Sequence, residues 1–144
     1  MRFEDLKEVF DLGEALFTAD DWPILYRTWD EYEIMERFIS DEEYCLVAEI
    51  DGKIVGFLIG SMIKKRRSRW IYGYVIWMGV AKDFQHLGVG KKMFQAISRR
   101  FKKEGVTMLM VDTSAENDLA LAFFQKNGFS RREEHVFLFK NLSK

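Results

Sequence analysis

The sequence predicts one mixed α/β domain, in which an antiparallel three-stranded meander leads through a helical crossover into a parallel strand. Three observations carry the prediction. β-rich runs at residues 44–50 and 53–62 are joined by Asp51-Gly52, a pair that two-residue hairpin turns favour because both central residues take positive φ. A third run over residues 70–81 enters the segment Gln85-His86-Leu87-Gly88-Val89-Gly90, which opens an amphipathic helix. That helix returns to an apolar run at residues 108–113, and a strand, helix, strand crossover sets its two strands side by side and parallel.

The elements follow in chain order. Leu6, Val9, Phe10, Leu12, Gly13, Leu16 and Phe17 recur at helical spacing, and Glu4 and Asp5 suit the positive end of the dipole, so a first helix is expected over residues 3–17. Asp20, Asp21 and the only proline, Pro23, break it. The helical pattern resumes from Trp29 to Ile39, with Thr28 or Asp30 as cap and with Asp30, Glu31 and Glu33 making one side acidic. Beyond the hairpin, the basic loop Lys64-Lys65-Arg66-Arg67-Ser68-Arg69 precedes the third strand. The crossover helix is expected over residues 89–104, stopped by Gly105, and the strand at 108–113 is expected to be short and buried. A helix over residues 119–126 ends at Asn127-Gly128 in the manner of a left-handed C-cap, and residues 134–139 close the chain as a strand. No repeat, low-complexity stretch or linker interrupts the chain, so residues 1–144 are expected to form a single domain.

Composition narrows the function classes. A chain of 144 residues builds one core and is too short for two. Twenty-two basic against twenty-three acidic side chains leave a net charge of -1, so no global field recruits nucleic acid or an anionic membrane, and neither is an expected partner. The basic loop reads as a solvated hairpin tip. Acidic residues at positions 4 and 5 stand where a signal peptide would be apolar, and no run of eighteen apolar residues exists, so a cytoplasmic location is expected. The single cysteine, Cys45, excludes an intramolecular disulfide and a cysteine-based zinc site, and its alternation with apolar neighbours makes it a core residue. No metal is expected.

The glycine-rich loop carries the chemistry. Where a strand turns into a helix, free backbone N–H groups and the positive end of the dipole converge on one point, which suits a phosphate or pyrophosphate. Spacing removes two candidates. A Walker A loop requires a hydroxyl after Gly-Lys, and Lys92 stands there; a dinucleotide loop requires a third glycine where this chain has Met93.

Gln85, Gly88 and Gly90, preceded by Val80 and Phe84, resemble the cofactor loop of the GNAT superfamily of N-acetyltransferases. Asn117, Ala120, Phe123, Phe124, Gly128 and Phe129 resemble a second motif of that family. The resemblance implies a mostly antiparallel sheet with a central parallel βαβ pair and helices on both faces. It implies acetyl-CoA as cosubstrate. The pyrophosphate would be cradled by Gln85, His86, Leu87, Gly88, Val89, Gly90 and Lys91, and the pantetheine arm would run along Met78, Gly79 and Val80, with Gly79 as a bulge or close-approach position. Asn117, Phe123, Phe124 and Lys126 would line the arm and the thioester end.

The implied activity is transfer of an acetyl group from acetyl-CoA to a primary amine of a small molecule or protein, directly within a ternary complex. Two positions depart from the family. Phe124 stands where many members carry a tyrosine that protonates the leaving thiolate, and the run from Trp70 to Ala81 has no carboxylate to serve as base. Tyr74, which shares a strand face with Tyr72 and Ile76, and Asp112, at the end of the neighbouring strand, are the replacement candidates. Trp29, Glu31 and Tyr32 are candidates for the acceptor site, while Trp22 and Tyr26 add aromatic surface nearby. His135 reads as a surface strand residue. A first strand before the first helix is short or absent, and the brief tail makes a homodimer with strand exchange an expectation. The alternative function is a non-catalytic acyl-CoA-binding sensor or interaction module.

Overall fold

The computed structural model describes residues 1–17 and 28–143; Asp20, Asp21, Trp22, Pro23 and Tyr26 therefore lie outside the described residues. The chain falls into two compact units, Met1–Asp112 and Thr113–Lys144.

In the first unit a short 3-10 turn at Phe3–Asp5 feeds α1 (Leu6–Leu16), and α2 (Glu31–Asp41) follows. Asp30, not Thr28, caps α2: its side chain accepts a hydrogen bond from the Glu33 amide at 2.8 Å. The strands β1 (Cys45–Ile50), β2 (Lys53–Lys64), β3 (Ile71–Val80) and β4 (Met108–Val111) make one sheet in the order β1-β2-β3-β4, with α3 (Val89–Lys103) crossing from β3 to β4. The first two pairings are antiparallel and the last is parallel, as the hairpin and crossover predict. Asp51 and Gly52 turn the hairpin with φ of 51° and 76°. The stop at Gly105 is a Schellman motif: the Val106 amide reaches the Phe101 carbonyl and the Gly105 amide the Lys102 carbonyl.

The sheet is covered on both faces. On one, Val9 of α1 and Ile34 and Phe38 of α2 pack with Trp29, Phe57, Ile59, Ile76 and Trp77. On the other, α3 buries Met93, Phe94, Ile97 and Phe101. Close approach is paid in side-chain volume, since a Cβ at Gly73 would stand 2.7 Å from the Phe101 ring. At Gly13 of α1 a Cβ would meet the Trp29 ring at 2.1 Å. Gly13→Ala is therefore expected to destabilise the protein by about 1–3 kcal/mol through overpacking, read as a lower Tm.

Two expectations are corrected. The irregularity in the β2/β3 ladder falls where Ile59 pairs with Trp77 and Gly60 with Val75, so Ile76 is the extra residue and the bulge is not at Gly79. Gly79 is instead a close-approach position, because a Cβ there would lie 2.7 Å from Leu16 and 2.9 Å from the Phe57 ring. β4 was expected to be buried, yet Met108 and Met110 are exposed where β4 ends the described sheet.

Cys45 is buried as expected, and loss of solvation pushes its thiol up to about 11. The folded state keeps a proton that the unfolded chain releases above about pH 8.5, so this group's contribution to stability is present below that pH and declines as pH rises towards about 11. Native protein at pH 8 is expected to react with a thiol reagent only as fast as it unfolds; rapid stoichiometric labelling would contradict the burial.

The second unit carries α4 (Asp118–Lys126), capped by Asn117, whose side chain accepts from the Ala120 amide at 3.1 Å. A second Schellman motif closes it at Gly128, φ 96°, with the Phe129 amide on the Phe124 carbonyl. Residues 134–139 form no strand, contrary to the alternating pattern. A strand is held by its ladder, and among the described residues no partner strand engages this segment.

Candidate functional site

The glycine-rich loop begins where β3 outruns its parallel neighbour. Pairing runs from Tyr72 with Met108 to Val75 with Val111 and stops there, while β3 continues to Val80. The Ala81 amide donates to Val55 of β2 at 2.8 Å, and the Gly79 carbonyl also faces β2, 3.2 Å from where a Gly56 Cβ would stand. Strand alternation then directs the peptide groups of Met78 and Val80 to the opposite side, beyond the end of the β4 ladder. Gln85 ties the strand end to the loop by donating from its side-chain amide to the Val80 carbonyl at 3.0 Å. Of the three strand positions in question, Met78 and the Val80 amide thus face away from β2 past the last β4 pair, and Gly79 offers its backbone to β2.

Two left-handed residues shape the loop: His86, with φ 65°, and Gly88, with φ 83°. A Cβ at Gly88 would meet nothing within 4 Å, so glycine is required there by conformation and not by crowding. Gly88 is the N-cap of α3 and supplies no side-chain cap; the first intrahelical bond runs from the Lys92 amide to the Gly88 carbonyl at 3.0 Å. The amides of Gly88, Val89, Gly90 and Lys91 consequently have no acceptor within the helix. No acid lies in the first turn, Leu87, Lys91 and Lys92 are exposed, and the arrangement suits a polyanion.

The two replacement candidates meet. The Tyr74 hydroxyl donates to Asp112 Oδ1 at 2.5 Å, joining the point where the β3/β4 ladder ends to the residue that follows β4. Tyr74 is half-buried against the core that faces α1 and α2. The alternation of β3 made Tyr74 identifiable from sequence, but its bond to Asp112 depends on strand register.

The proposed acceptor residues divide. Trp29 is a core residue, with its indole N–H on the Phe10 carbonyl at 3.1 Å and its ring stacked on Phe57 at 5.1 Å; a tryptophan so enclosed is not a pocket wall. Glu31 and Tyr32 are exposed on α2. Glu33 was visible only as part of an acidic face. Its Oε1 accepts from the Trp77 indole N–H at 3.3 Å and from Arg37 Nε at 3.1 Å, bringing a carboxylate to the strand that has none. The i,i+4 spacing of Glu33 and Arg37 was the one sequence signal for this.

Within the second unit, Asn117 acts as the cap described above, Phe124 meets Phe123 and Phe129 edge to face at 5.4 Å, and Lys126 is exposed in the last turn of α4. The His135 ring lies edge-on to Phe137, outside any strand. Among the described residues no group of three or more His, Cys, Asp or Glu is placed to hold a metal, and no helix is long and apolar enough to cross a membrane.

A parallel pair that parts below a left-handed glycine loop, with an uncapped helix N-terminus beside it, defines an acyl-CoA-binding fold. Residues 11–129 match the acetyltransferase (GNAT) family, and the chain belongs to that family. It is therefore an acyltransferase with acetyl-CoA as cosubstrate. An acetyltransferase of Sodalis glossinidius (strain morsitans) is 24% identical over 143 residues, covering 98% of this chain and 92% of its own. The aminoglycoside acetyltransferase meta-AAC0020 from an uncultured soil metagenomic sample, solved with sisomicin, superposes with a TM-score of 0.75 at 22% identity, over 99% of this chain and 93% of its own. Aminoglycoside acetyltransferase AAC(6')-Iy, solved with the bisubstrate analogue CoA-S-monomethyl-acetylneamine, gives 0.76 at 22% identity, over 98% and 95%. At these identities the likeness is one of fold.

Proposed function

We propose that the protein transfers the acetyl group of acetyl-CoA to a primary amine of a small molecule by direct attack within a ternary complex. The observation that carries this reading is the Tyr74 to Asp112 hydrogen bond at the point where β3 and β4 part. Amides of Gly88, Val89, Gly90 and Lys91 hold the pyrophosphate, and Met78 and Val80 offer backbone groups to the pantetheine arm.

The chemistry then follows from the pair. The neutral amine attacks the thioester carbonyl, forming the C–N bond, and its N–H proton passes to the Asp112 carboxylate. As the C–S bond breaks, the Tyr74 hydroxyl protonates the thiolate and is reprotonated from Asp112. One proton leaves nitrogen and one reaches sulfur, so the step balances without a further reactant. Tyr74 thereby takes the role that Phe124 has no proton to fill. Direct transfer is favoured because the only cysteine is buried and protonated, which leaves no thiol to carry an acetyl group. Aminoglycoside-acetylating structural neighbours support a small-molecule amine as acceptor.

Initial rates measured over a grid of acetyl-CoA and amine concentrations test the order of events. Intersecting reciprocal plots are expected. Parallel plots, the mark of an acetyl-enzyme intermediate, would contradict direct transfer.

A further inference from the structure

Resting on that acetyltransferase reading, we propose that the acceptor is a zwitterion: its amine meets Tyr74 and Asp112, and a carboxylate or other anion at its far end lies in the field of the basic segment at residues 64–69. Tyr72 and Tyr74 share one face of β3 by alternation, and the Trp70 ring stacks on Tyr72 with centroids 6.3 Å apart and planes 18° from parallel. Ile63 of β2 pairs opposite Tyr72 and so stands on the same face. Trp70 is 56% exposed and Ile63 is exposed beside it, whereas Tyr74 packs against the core that faces α1 and α2. An open apolar shelf thus runs from the Tyr74 and Asp112 pair to the hairpin tip. From Tyr74 to Trp70 it spans four residues, about 13 Å of strand.

Charge changes sign along the shelf. At the Tyr74 end, Asp112 accepts from the Tyr74 hydroxyl, and Asp41 accepts at 3.0 Å from Ser61, the residue paired with Tyr74 on β2. At the other end Lys64, Lys65, Arg66, Arg67 and Arg69 are exposed, the segment holds no acid, and among the described residues none of the five is ion-paired. The Ser68 amide donates to the Lys65 carbonyl and the Trp70 amide to Ser68 Oγ, so the turn is tied to the backbone that carries the Trp70 ring. Glu33 does not offset these cations: it bonds Trp77, three residues past Tyr74 in the opposite direction, and engages Arg37. Carboxylates at one end favour an approaching ammonium, while uncompensated cations at the other favour an anion and repel a second ammonium. The apolar surface between them suits a hydrocarbon or aromatic body.

The test compares 8-aminooctanoate with n-octylamine and 1,8-diaminooctane, and 4-aminobutanoate with n-butylamine. Wild-type enzyme is expected to favour 8-aminooctanoate over n-octylamine in kcat/KM by about tenfold and to use the diamine least, while 4-aminobutanoate, too short for the shelf, gains nothing over n-butylamine. Raising the ionic strength to about 0.5 M is expected to cut the preference to about twofold. In the double variant Arg66→Glu, Arg69→Glu the preference is expected to invert, a ratio that does not depend on how much of the variant is folded. Trp70→Ala is expected to raise KM for 8-aminooctanoate and n-octylamine alike by about fivefold. Equal use of 8-aminooctanoate and n-octylamine by wild type, a preference that survives charge reversal, or an unchanged KM in Trp70→Ala overturns the proposal. So does submicromolar binding of a short oligothymidylate that charge reversal abolishes, when no carboxylate preference accompanies it; the segment is then a nucleic-acid surface. Thiol release with alkylamines but no preference sinks this inference alone, whereas CoA binding with no release on any amine sinks the acetyltransferase reading and this inference with it.

Discussion

Asp112→Asn and Tyr74→Phe are each expected to lower kcat by about 10²–10³-fold while leaving the dissociation constant for CoA within about twofold, the magnitude that loss of a positioned acid or base ordinarily produces. Both substitutions keep side-chain volume, and Tyr74 remains packed on the same core. If proton transfer runs through the pair, the double variant is expected to be little worse than either single one, because each change already breaks the relay. Multiplicative losses, or a Tyr74→Phe variant with wild-type kcat, would remove the relay from the mechanism.

Gly88→Val is expected to weaken CoA binding by about 10- to 100-fold. The residue is left-handed, which costs an L side chain about 1–2 kcal/mol and a β-branched one more, and the strain is relieved by turning the loop amides away from the phosphates. Nothing surrounds the position, so steric collision is not the cause. Gly88→Asn supplies the control: asparagine tolerates left-handed φ, so its CoA affinity is expected to fall between glycine and valine. Calorimetric titration of CoA checks the series. Equal affinity across the three would mean that the loop conformation does not govern binding.

Much of this architecture was legible because local chemistry dictated it. Asp51-Gly52 fixed a hairpin through positive φ, Gly105 and Gly128 ended helices through Schellman bonds, and the apolar runs either side of α3 committed β3 and β4 to parallel pairing. The roles left open by the family resemblance, with strand alternation for Tyr74 and the strand end for Asp112, put these two residues forward. What it missed depends on tertiary register. Alternation cannot reveal that Ile76 is the bulged residue, because the extra residue appears only when β2 and β3 are aligned, and that bulge decides which face Trp77 takes. Trp29 looked like pocket wall because an aromatic beside acids fits either role; its burial follows from Gly13, sixteen positions earlier, which leaves room for the ring. The pattern at residues 134–139 read as a strand because alternation records amphipathicity and says nothing of whether a neighbour is there to pair with.

The central claim is that acetyl transfer to an amine, and not cosubstrate binding alone, is what this site performs. Incubation with acetyl-CoA and a panel of primary amines, followed by detection of free CoA thiol, tests it directly. The account predicts thiol release that depends on an amine, saturates with its concentration and is lost in Asp112→Asn. Tight acetyl-CoA binding with no amine-dependent release on any acceptor would contradict it and would define the protein as an acyl-CoA sensor.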